Sequence, residues 1–179
     1  MGPNVETGKD GVQNGPEYQL ALCLSMDLVI RKMEPADIDA IPFVFASWNK
    51  FRPQYEIYFK ENGAGQRVTL VATINDKVAG YANVLWTSKY PPFAEAGIPE
   101  INDLNVMTMY QNRGIGRALI AAAEGVINEN GHTVAGIGVG QTVDYSAAQH
   151  LYPSLGYVPV GTGPQPSDDG AVVYLTREI

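Results

Sequence analysis

Apolar and polar positions alternate in blocks along the chain, and the blocks predict strands and helices in mixed order. Period-two or β-branched runs predict strands at residues 27–31, 67–74, 78–86, 100–107, 133–139 and 171–176. Helical spacing predicts a helix from about residue 35, broken or restarted at Pro42, and further helices near 54–61, from 115 to 130 and at 147–155. Asn75-Asp76-Lys77 predicts a hairpin turn, 90–93 a rigid loop, and 161–170 a turn-rich stretch.

The most informative segment lies between the strand at 100–107 and the helix that follows it. Gln111-Asn112-Arg113-Gly114-Ile115-Gly116 joins these two elements. Its two glycines let backbone N–H groups approach an anion, and the positive end of the helix dipole favours negative charge there. The segment therefore predicts a phosphate or pyrophosphate site.

Two common phosphate-binding motifs do not fit this segment. A dinucleotide-binding fingerprint needs a third glycine where Leu119 stands, and a P-loop needs Lys-Ser/Thr where Arg117-Ala118 stand. The run instead resembles the Q/R-x-x-G-x-G signature of the GNAT superfamily of acyl-CoA N-acyltransferases, with Gln111, Gly114 and Gly116 at the defining positions.

Two other segments extend this resemblance over nearly all of residues 27–176. Ala148-Gln-His-Leu-Tyr152, followed by Leu155-Gly156-Tyr157, is similar to the family's second landmark, A-x-x-L-Y-x-x-x-G-F/Y. Residues 27–31 and 35–39 resemble its opening strand and first helix. The family implies an α/β fold, of mixed α+β type: a mixed, largely antiparallel sheet of six to seven strands, splayed at the central strands and flanked by about four helices.

The resemblance also implies a division of the chain and a cofactor. Residues 27–179 are expected to form a single acyl-CoA N-acyltransferase domain, and residues 1–26 a flexible lead-in. Acetyl-CoA is the expected acyl donor. The expected coenzyme A contacts are Val106, Gln111, Asn112, Arg113, Gly114, Ile115, Gly116, Arg117 and Ala118.

Family members polarise the thioester carbonyl with a backbone N–H on the strand before the glycine turn. In this chain the N–H of Val106 is the expected donor to the carbonyl oxygen. Tyr152 matches the tyrosine that lies beside the coenzyme A sulfur and serves as general acid. The family often has an asparagine seven residues before this tyrosine, but this chain has Tyr145 there, with Asp144 beside it. Pantetheine contacts from that loop are therefore expected to differ.

The acceptor amine must be neutral when it attacks. Deprotonating a lysine-like amine at pH 7 takes roughly 4.6 kcal/mol, so a base or a water relay is expected. Glu100 lies thirteen residues before Arg113, the spacing of the general-base glutamate in histone-acetylating members of the family. Asp103 is the weaker candidate for the same role.

Aromatic residues are the candidates for the acceptor pocket, which the family builds from its first two helices and the loop before the central strand. Tyr90 and Phe93 are the predicted substrate residues, since ring faces can hold an apolar group or a cation. The wider aromatic set is Trp48, Phe51, Tyr55, Tyr58 and Trp86. The acceptor class stays open between small-molecule amines and peptide or protein amines.

Composition excludes several other classes of partner. A formal net charge of −7 argues against a nucleic-acid ligand, which needs a concentrated basic surface. Cys23 is the only cysteine, so an intrachain disulfide is excluded, and His132 and His150 lack companions at metal-ligand spacing. No apolar run predicts a membrane span. A cytoplasmic monomer or homodimer without a metal is expected.

Together these observations favour an acetyl-CoA-dependent N-acetyltransferase in which a primary amine attacks the thioester directly in a ternary complex. The alternative is a non-catalytic acyl-CoA-binding sensor or regulatory domain. Such a protein would keep the glycine turn without acceptor chemistry.

Overall fold

The computed structural model describes residues 27–164 and 171–179. Within them the strands are β1 (Leu28–Lys32), β2 (Arg67–Ile74), β3 (Lys77–Leu85), β4 (Glu100–Val106), β5 (Val134–Gly140), β6 (Val158–Pro164) and β7 (Ala171–Glu178). The α-helices are α1 (Asp37–Val44), α2 (Arg52–Gly63), α3 (Pro91–Ala96), α4 (Ile115–Glu129) and α5 (Ser146–Ser154). The predicted lead-in at 1–26, including Cys23, lies outside the described residues.

The seven strands form one sheet in the order β1-β2-β3-β4-β5-β7-β6. Only β4 and β5 run parallel, and every other neighbouring pair is antiparallel. The prediction of a mixed, largely antiparallel sheet is confirmed. No helix in the described part of the chain is long and apolar enough to cross a bilayer.

The sheet has helices on both faces, which are called here the α4 face and the α2 face. On the α4 face, Leu119, Ile120 and Ile127 pack against alternate strand residues such as Ile101. On the α2 face, Ile41 of α1, Phe45 directly after α1 and Tyr55 of α2 pack against Val71 and Tyr81. Successive residues of a strand point to opposite faces, so each strand supplies side chains to both cores.

Two turns follow directly from the residues that form them. Asn75 and Asp76 have positive φ angles of 49° and 62°, which suits the two-residue loop between β2 and β3. Gly131, with φ of 83°, follows the end of α4, as the sequence predicts.

Three details of the sequence prediction are wrong. Helix α1 continues through Pro42 instead of breaking there. The loop predicted at 90–93 contains the start of α3, because Pro91 can occupy the first helical turn without losing an intrahelical bond. Strand β6 lies at 158–164 and includes part of the predicted turn-rich stretch. Helix α3 brings the number of described helices to five, one more than predicted.

Candidate active site

Strands β4 and β5 are paired only where they begin. Glu100 pairs with Gly136 and Ile101 with Ile137, and the described pairing between the two strands ends there. Because β4 continues to Val106, its edge is open over residues 102–106. The space beside this open edge is called here the gap, and the early end of the pairing agrees with the splay predicted for the central strands.

The backbone of Val106 is directed into the gap. The N–H of Met107 donates to the carbonyl oxygen of Ala79 at 2.9 Å, so these two residues form a hydrogen-bonded pair. Such pairs alternate with non-hydrogen-bonded pairs in an antiparallel ladder. Val106, opposite Gly80, therefore turns its N–H and its carbonyl away from β3. The Nε2 of Gln111 donates to this carbonyl at 3.0 Å, which agrees with that direction.

The glycine turn lies at the same end of β4 and begins helix α4. Gly114 is the N-cap with φ of 81°, and Asn112 also has a positive φ, of 58°. A Cβ atom at Gly114 would meet no heavy atom within 4 Å, so its backbone conformation is what favours glycine there. The first turn of α4 contains no acidic residue and no side-chain cap. Its N–H groups are therefore suited to an anion.

Gly116 is where α4 comes close to both β4 and α5. A Cβ atom there would lie 3.5 Å from Leu151, 3.9 Å from Leu104 and 3.9 Å from Val106. These are ordinary van der Waals distances to side chains. The small residue thus brings the helix start next to the open edge of β4.

Tyr152 lies on α5 and is 5% exposed, within the core of the α4 face. Burial, and to a smaller extent Tyr145, raise the pKa of the Tyr152 phenol to about 12. Its ring centroid lies 6.2 Å from that of Tyr157. The phenol is therefore protonated throughout the physiological pH range.

Glu100 begins β4 and projects to the α2 face. The residue is only 5% exposed, and its carboxylate accepts hydrogen bonds from the Ser88 hydroxyl and from Nδ2 of Asn102, the latter at 3.1 Å. The structure thus holds this carboxylate in a defined orientation at the narrow end of the gap, where Glu100 pairs with Gly136.

Asp103 interrupts the regular alternation of β4. The β3–β4 register shifts between Tyr81 and Asn83, and Asp103 has a positive φ of 47°. This is a β-bulge, which aspartate tolerates better than most residues. The bulge directs the Asp103 carboxylate to the α2 face three residues before Val106.

The Asp103 carboxylate accepts five side-chain hydrogen bonds. Lys50 Nζ and Asn105 Nδ2 each lie 2.8 Å from Oδ1. The donors to Oδ2 are Tyr58 OH at 2.9 Å, Tyr81 OH at 3.0 Å and Gln54 Nε2 at 3.2 Å. Since a carboxylate offers about four lone-pair sites, this group is fully satisfied.

Sequence reasoning missed this cluster apart from naming Asp103 and Tyr58 separately. Its members come from α2, β3, β4 and the α1–α2 loop, so no sequence spacing brings them together. Two adjacent polar residues, Asn102 and Asp103, inside a strand were the available signal for a bulge.

The predicted substrate residues Tyr90 and Phe93 lie at the β5–β7–β6 side of the sheet. The Tyr90 ring stacks on that of Tyr174, with centroids 3.7 Å apart. Phe93 is 1% exposed, and a Cβ atom at Gly136 would lie 2.3 Å from its ring. Phe93 is therefore a core residue, and its ring contacts that of Tyr90 edge to face, with centroids 5.1 Å apart.

Among the described residues, no group of three His, Cys, Asp or Glu side chains could hold a metal ion.

The two faces of the sheet carry different groups. The α4 face presents a glycine turn, a buried tyrosine and an open strand edge. The α2 face presents two oriented carboxylates. This arrangement can hold an anion at one end of β4 and a polar or cationic group on the other face.

Comparison with solved structures shows the same fold in acetyltransferases. A ribosomal-protein-alanine N-acetyltransferase from Brucella melitensis is 19% identical, with 84% of this chain and 99% of that chain covered and a TM-score of 0.69. YncA from Salmonella typhimurium, solved with its cofactor acetyl-CoA, is 18% identical, with 84% and 93% covered and a TM-score of 0.67.

An aminoglycoside 6'-N-acetyltransferase complexed with coenzyme A is 16% identical, with 84% of this chain and 96% of that chain covered and a TM-score of 0.63. No curated protein matches the chain. The family model described as "Acetyltransferase (GNAT) domain" matches residues 65–159, from just before β2 to the start of β6. The chain belongs to the GNAT family of acetyltransferases.

Proposed function

We propose that this protein is an acetyl-CoA-dependent N-acetyltransferase that acetylates a primary amine by direct attack in a ternary complex. The observation that carries this proposal is the coincidence, at one end of β4, of an open strand edge and an anion-binding turn. The Val106 backbone faces the gap, and Gln111 of the turn donates to its carbonyl oxygen.

The residues of the turn fit the pyrophosphate of coenzyme A. Asn112 and Gly114 have positive φ angles, so the turn exposes successive backbone N–H groups. Arg117 adds a cation on the first turn of α4, where its Nη2 lies 3.4 Å from the Ser154 hydroxyl. We assign coenzyme A binding to Val106 and to Gln111, Asn112, Arg113, Gly114, Ile115, Gly116, Arg117 and Ala118. Acetyl-CoA supplies the thioester whose acetyl group is transferred.

In this proposal, the groups that polarise the thioester carbonyl and protonate the leaving sulfur lie at the gap and on the α4 face. The N–H of Val106 would donate to the thioester carbonyl oxygen and stabilise the negative charge that develops there, an effect worth roughly a hundred- to a thousandfold in rate. As the amine nitrogen bonds to the carbonyl carbon, the C–S bond breaks and its electron pair leaves on sulfur. The Tyr152 phenol would donate its hydrogen to that sulfur, and the second proton lost by the amine nitrogen would return to the Tyr152 oxygen through water.

Glu100 is the proposed base. The Ser88 and Asn102 side chains fix its carboxylate without occupying all of its lone pairs, whereas Asp103 already accepts five hydrogen bonds. Glu100 would take the proton of the acceptor's ammonium group, directly or through water, and leave the neutral amine as nucleophile.

The acceptor would bind on the α2 face. One structural neighbour is named for a ribosomal-protein alanine and another for an aminoglycoside, so the fold serves both protein and small-molecule acceptors. Tyr90 would border the site near Glu100, and Phe93 would support it from the core. Burial raises the pKa of Tyr174, which stacks on Tyr90, and the charge of Glu100 raises it further.

A thiol-release assay with acetyl-CoA and a panel of amines tests the proposal. The wild type should release thiol only with an accepted amine, and Glu100→Gln should lower kcat by tenfold or more while coenzyme A affinity stays unchanged. Ser88→Ala, which removes only a hydroxyl bonded to Glu100, is the milder matched variant. Coenzyme A binding without transfer to any amine would instead identify an acyl-CoA sensor.

A further inference from the structure

Lys50 occupies a position that an amine substrate could take. Its Nζ lies 2.8 Å from Oδ1 of Asp103 and 6.0 Å from the ring centroid of Tyr81. The Lys50 and Asp103 side chains are 19% and 17% exposed. A primary ammonium group on an unbranched aliphatic arm therefore fits between this carboxylate and the tyrosine ring.

The other four donors to Asp103 belong to the framework. Gln54 and Tyr58 project from α2, Tyr81 from β3 and Asn105 from β4 itself. They are also bonded to one another: Gln54 Nε2 lies 2.6 Å from Tyr58 OH, and Asn105 Nδ2 lies 3.0 Å from Tyr81 OH. Removing any of them would break more than one hydrogen bond inside the protein.

Lys50 differs from these donors in two ways. It lies in the connection between Ala46–Trp48, a 3-10 turn, and Arg52, the first residue of α2. Its side chain has four rotatable bonds and a compact charge, so holding it in one geometry costs conformational entropy. Among the five donors to Asp103, Lys50 is therefore the one that an external ammonium group can replace at the lowest cost in free energy.

The carboxylate that Lys50 binds lies on β4 between Glu100, the proposed base, and Val106, the proposed carbonyl site. Lys50 Nζ shares Oδ1 of Asp103 with Nδ2 of Asn105, the residue immediately before Val106. Glu100, the proposed base, lies on the same face of the same strand, and Asn102 Nδ2 is bonded to it at 3.1 Å. An amine bound at this point would stand beside the strand segment that faces the gap.

We propose that Asp103, Tyr58 and Tyr81 form the binding site for the acceptor's ammonium group, and that Lys50 fills this site until the acceptor replaces it. This inference rests on the proposed function and names its substrate class: a primary alkylamine on an unbranched chain, as in a lysine side chain. Phenol oxygens and the ring face of Tyr81 surround such a cation, and the chain's net charge of −7 favours its approach.

The test compares KM and kcat for two kinds of acceptor. Pentylamine and Nα-acetyl-lysine amide carry alkylammonium groups, whereas alanyl-alanine amide carries an α-amine. Lys50→Met removes the competing ammonium group and should lower KM for both alkylamines at least threefold. Asp103→Asn should raise it at least tenfold. Lys77→Met, at the exposed start of β3, is the matched control and should change neither constant.

Binding of pentylamine in the absence of acetyl-CoA, followed by calorimetry, gives a second readout independent of turnover. Circular dichroism establishes that Asp103→Asn is folded. The inference is overturned if Lys50→Met and Lys77→Met behave alike, if Asp103→Asn lowers kcat for every acceptor with KM unchanged, or if the α-amine is the only accepted substrate. A wild type that neither binds nor consumes acetyl-CoA would refute the proposed function instead.

Discussion

The side-chain Nε2 of Gln111 lies 3.0 Å from the carbonyl oxygen of Val106 and joins the glycine turn to the open edge of β4. This bond ties the proposed pyrophosphate site to the proposed carbonyl site. Gln111→Ala should therefore weaken coenzyme A binding by about fivefold, equivalent to about 1 kcal/mol for one neutral hydrogen bond. Isothermal titration with coenzyme A measures the effect.

A control for Gln111→Ala exists at the other end of α4. Asn130 Nδ2 donates to the carbonyl oxygen of Val126 at 2.7 Å, also at the surface. Asn130→Ala removes a similar amide-to-carbonyl bond far from the turn and should leave coenzyme A affinity unchanged. Equal losses of affinity in the two variants would mean that Gln111 acts only through general stability.

Arg117 allows helix stability to be separated from cofactor binding. It is exposed on the first turn of α4, which contains no acidic residue. Arg117→Glu should stabilise the fold by about 0.3–1 kcal/mol, because a carboxylate interacts favourably with a helix N-terminus. The same charge should repel the phosphates and lower coenzyme A affinity by tenfold or more.

Urea unfolding and calorimetric titration of Arg117→Glu test these opposite changes, with Arg117→Gln as the neutral control. Arg117→Gln should lie between the wild type and Arg117→Glu both in the free energy of unfolding and in coenzyme A affinity. If Arg117→Glu binds coenzyme A as tightly as the wild type, the pyrophosphate does not lie at the start of α4.

The elements that depend on local pattern were predictable, and those that depend on tertiary contacts were not. The hairpin at Asn75 and the helix ended by Gly131 follow from turn and cap chemistry. Strand β6 does not, because its glycine-rich sequence is a strand through pairing with β7. Likewise Gly114 and Gly116 could be found in the sequence, whereas the donors that surround Asp103 come from four separate segments.

Burial of tyrosine makes the stability of this fold sensitive to alkaline pH. Burial raises the pKa of Tyr152 and of Tyr55 to about 12. A folded-state pKa above the unfolded value of about 10 means that the stabilising contribution is complete below pH 10 and is lost as pH rises towards 12. The free energy of unfolding should therefore fall above pH 10.

Tyr152→Phe isolates one part of this pH dependence. Between pH 9 and pH 11 the variant should lose about 1 kcal/mol less stability than the wild type, because it has one phenol fewer to ionise. Urea unfolding at the two pH values measures the difference. The kcat of Tyr152→Phe at neutral pH should fall by about a hundredfold if the phenol protonates the leaving sulfur. A variant with the wild-type pH dependence of stability would show that ionisation of Tyr152 does not contribute to the loss.

Two glycines, Gly136 in strand β5 and Gly125 in helix α4, test how the acceptor face is supported. A Cβ atom at Gly136 would lie 2.3 Å from the Phe93 ring, and Gly136 pairs with Glu100 where the gap begins. Gly136→Ala should cost about 1–3 kcal/mol, because Phe93 must move within a packed core. It should also lower kcat, since α3 and the residues around Glu100 would shift.

Gly125→Ala is the control. A Cβ atom at Gly125, exposed within α4, would meet nothing within 4 Å, so this variant should instead stabilise the protein by about 0.5–1 kcal/mol. Thermal unfolding of both variants, with kcat measured for each, tests the contrast: if Gly136→Ala retains wild-type stability and kcat, the packing of Phe93 against β5 does not position Glu100.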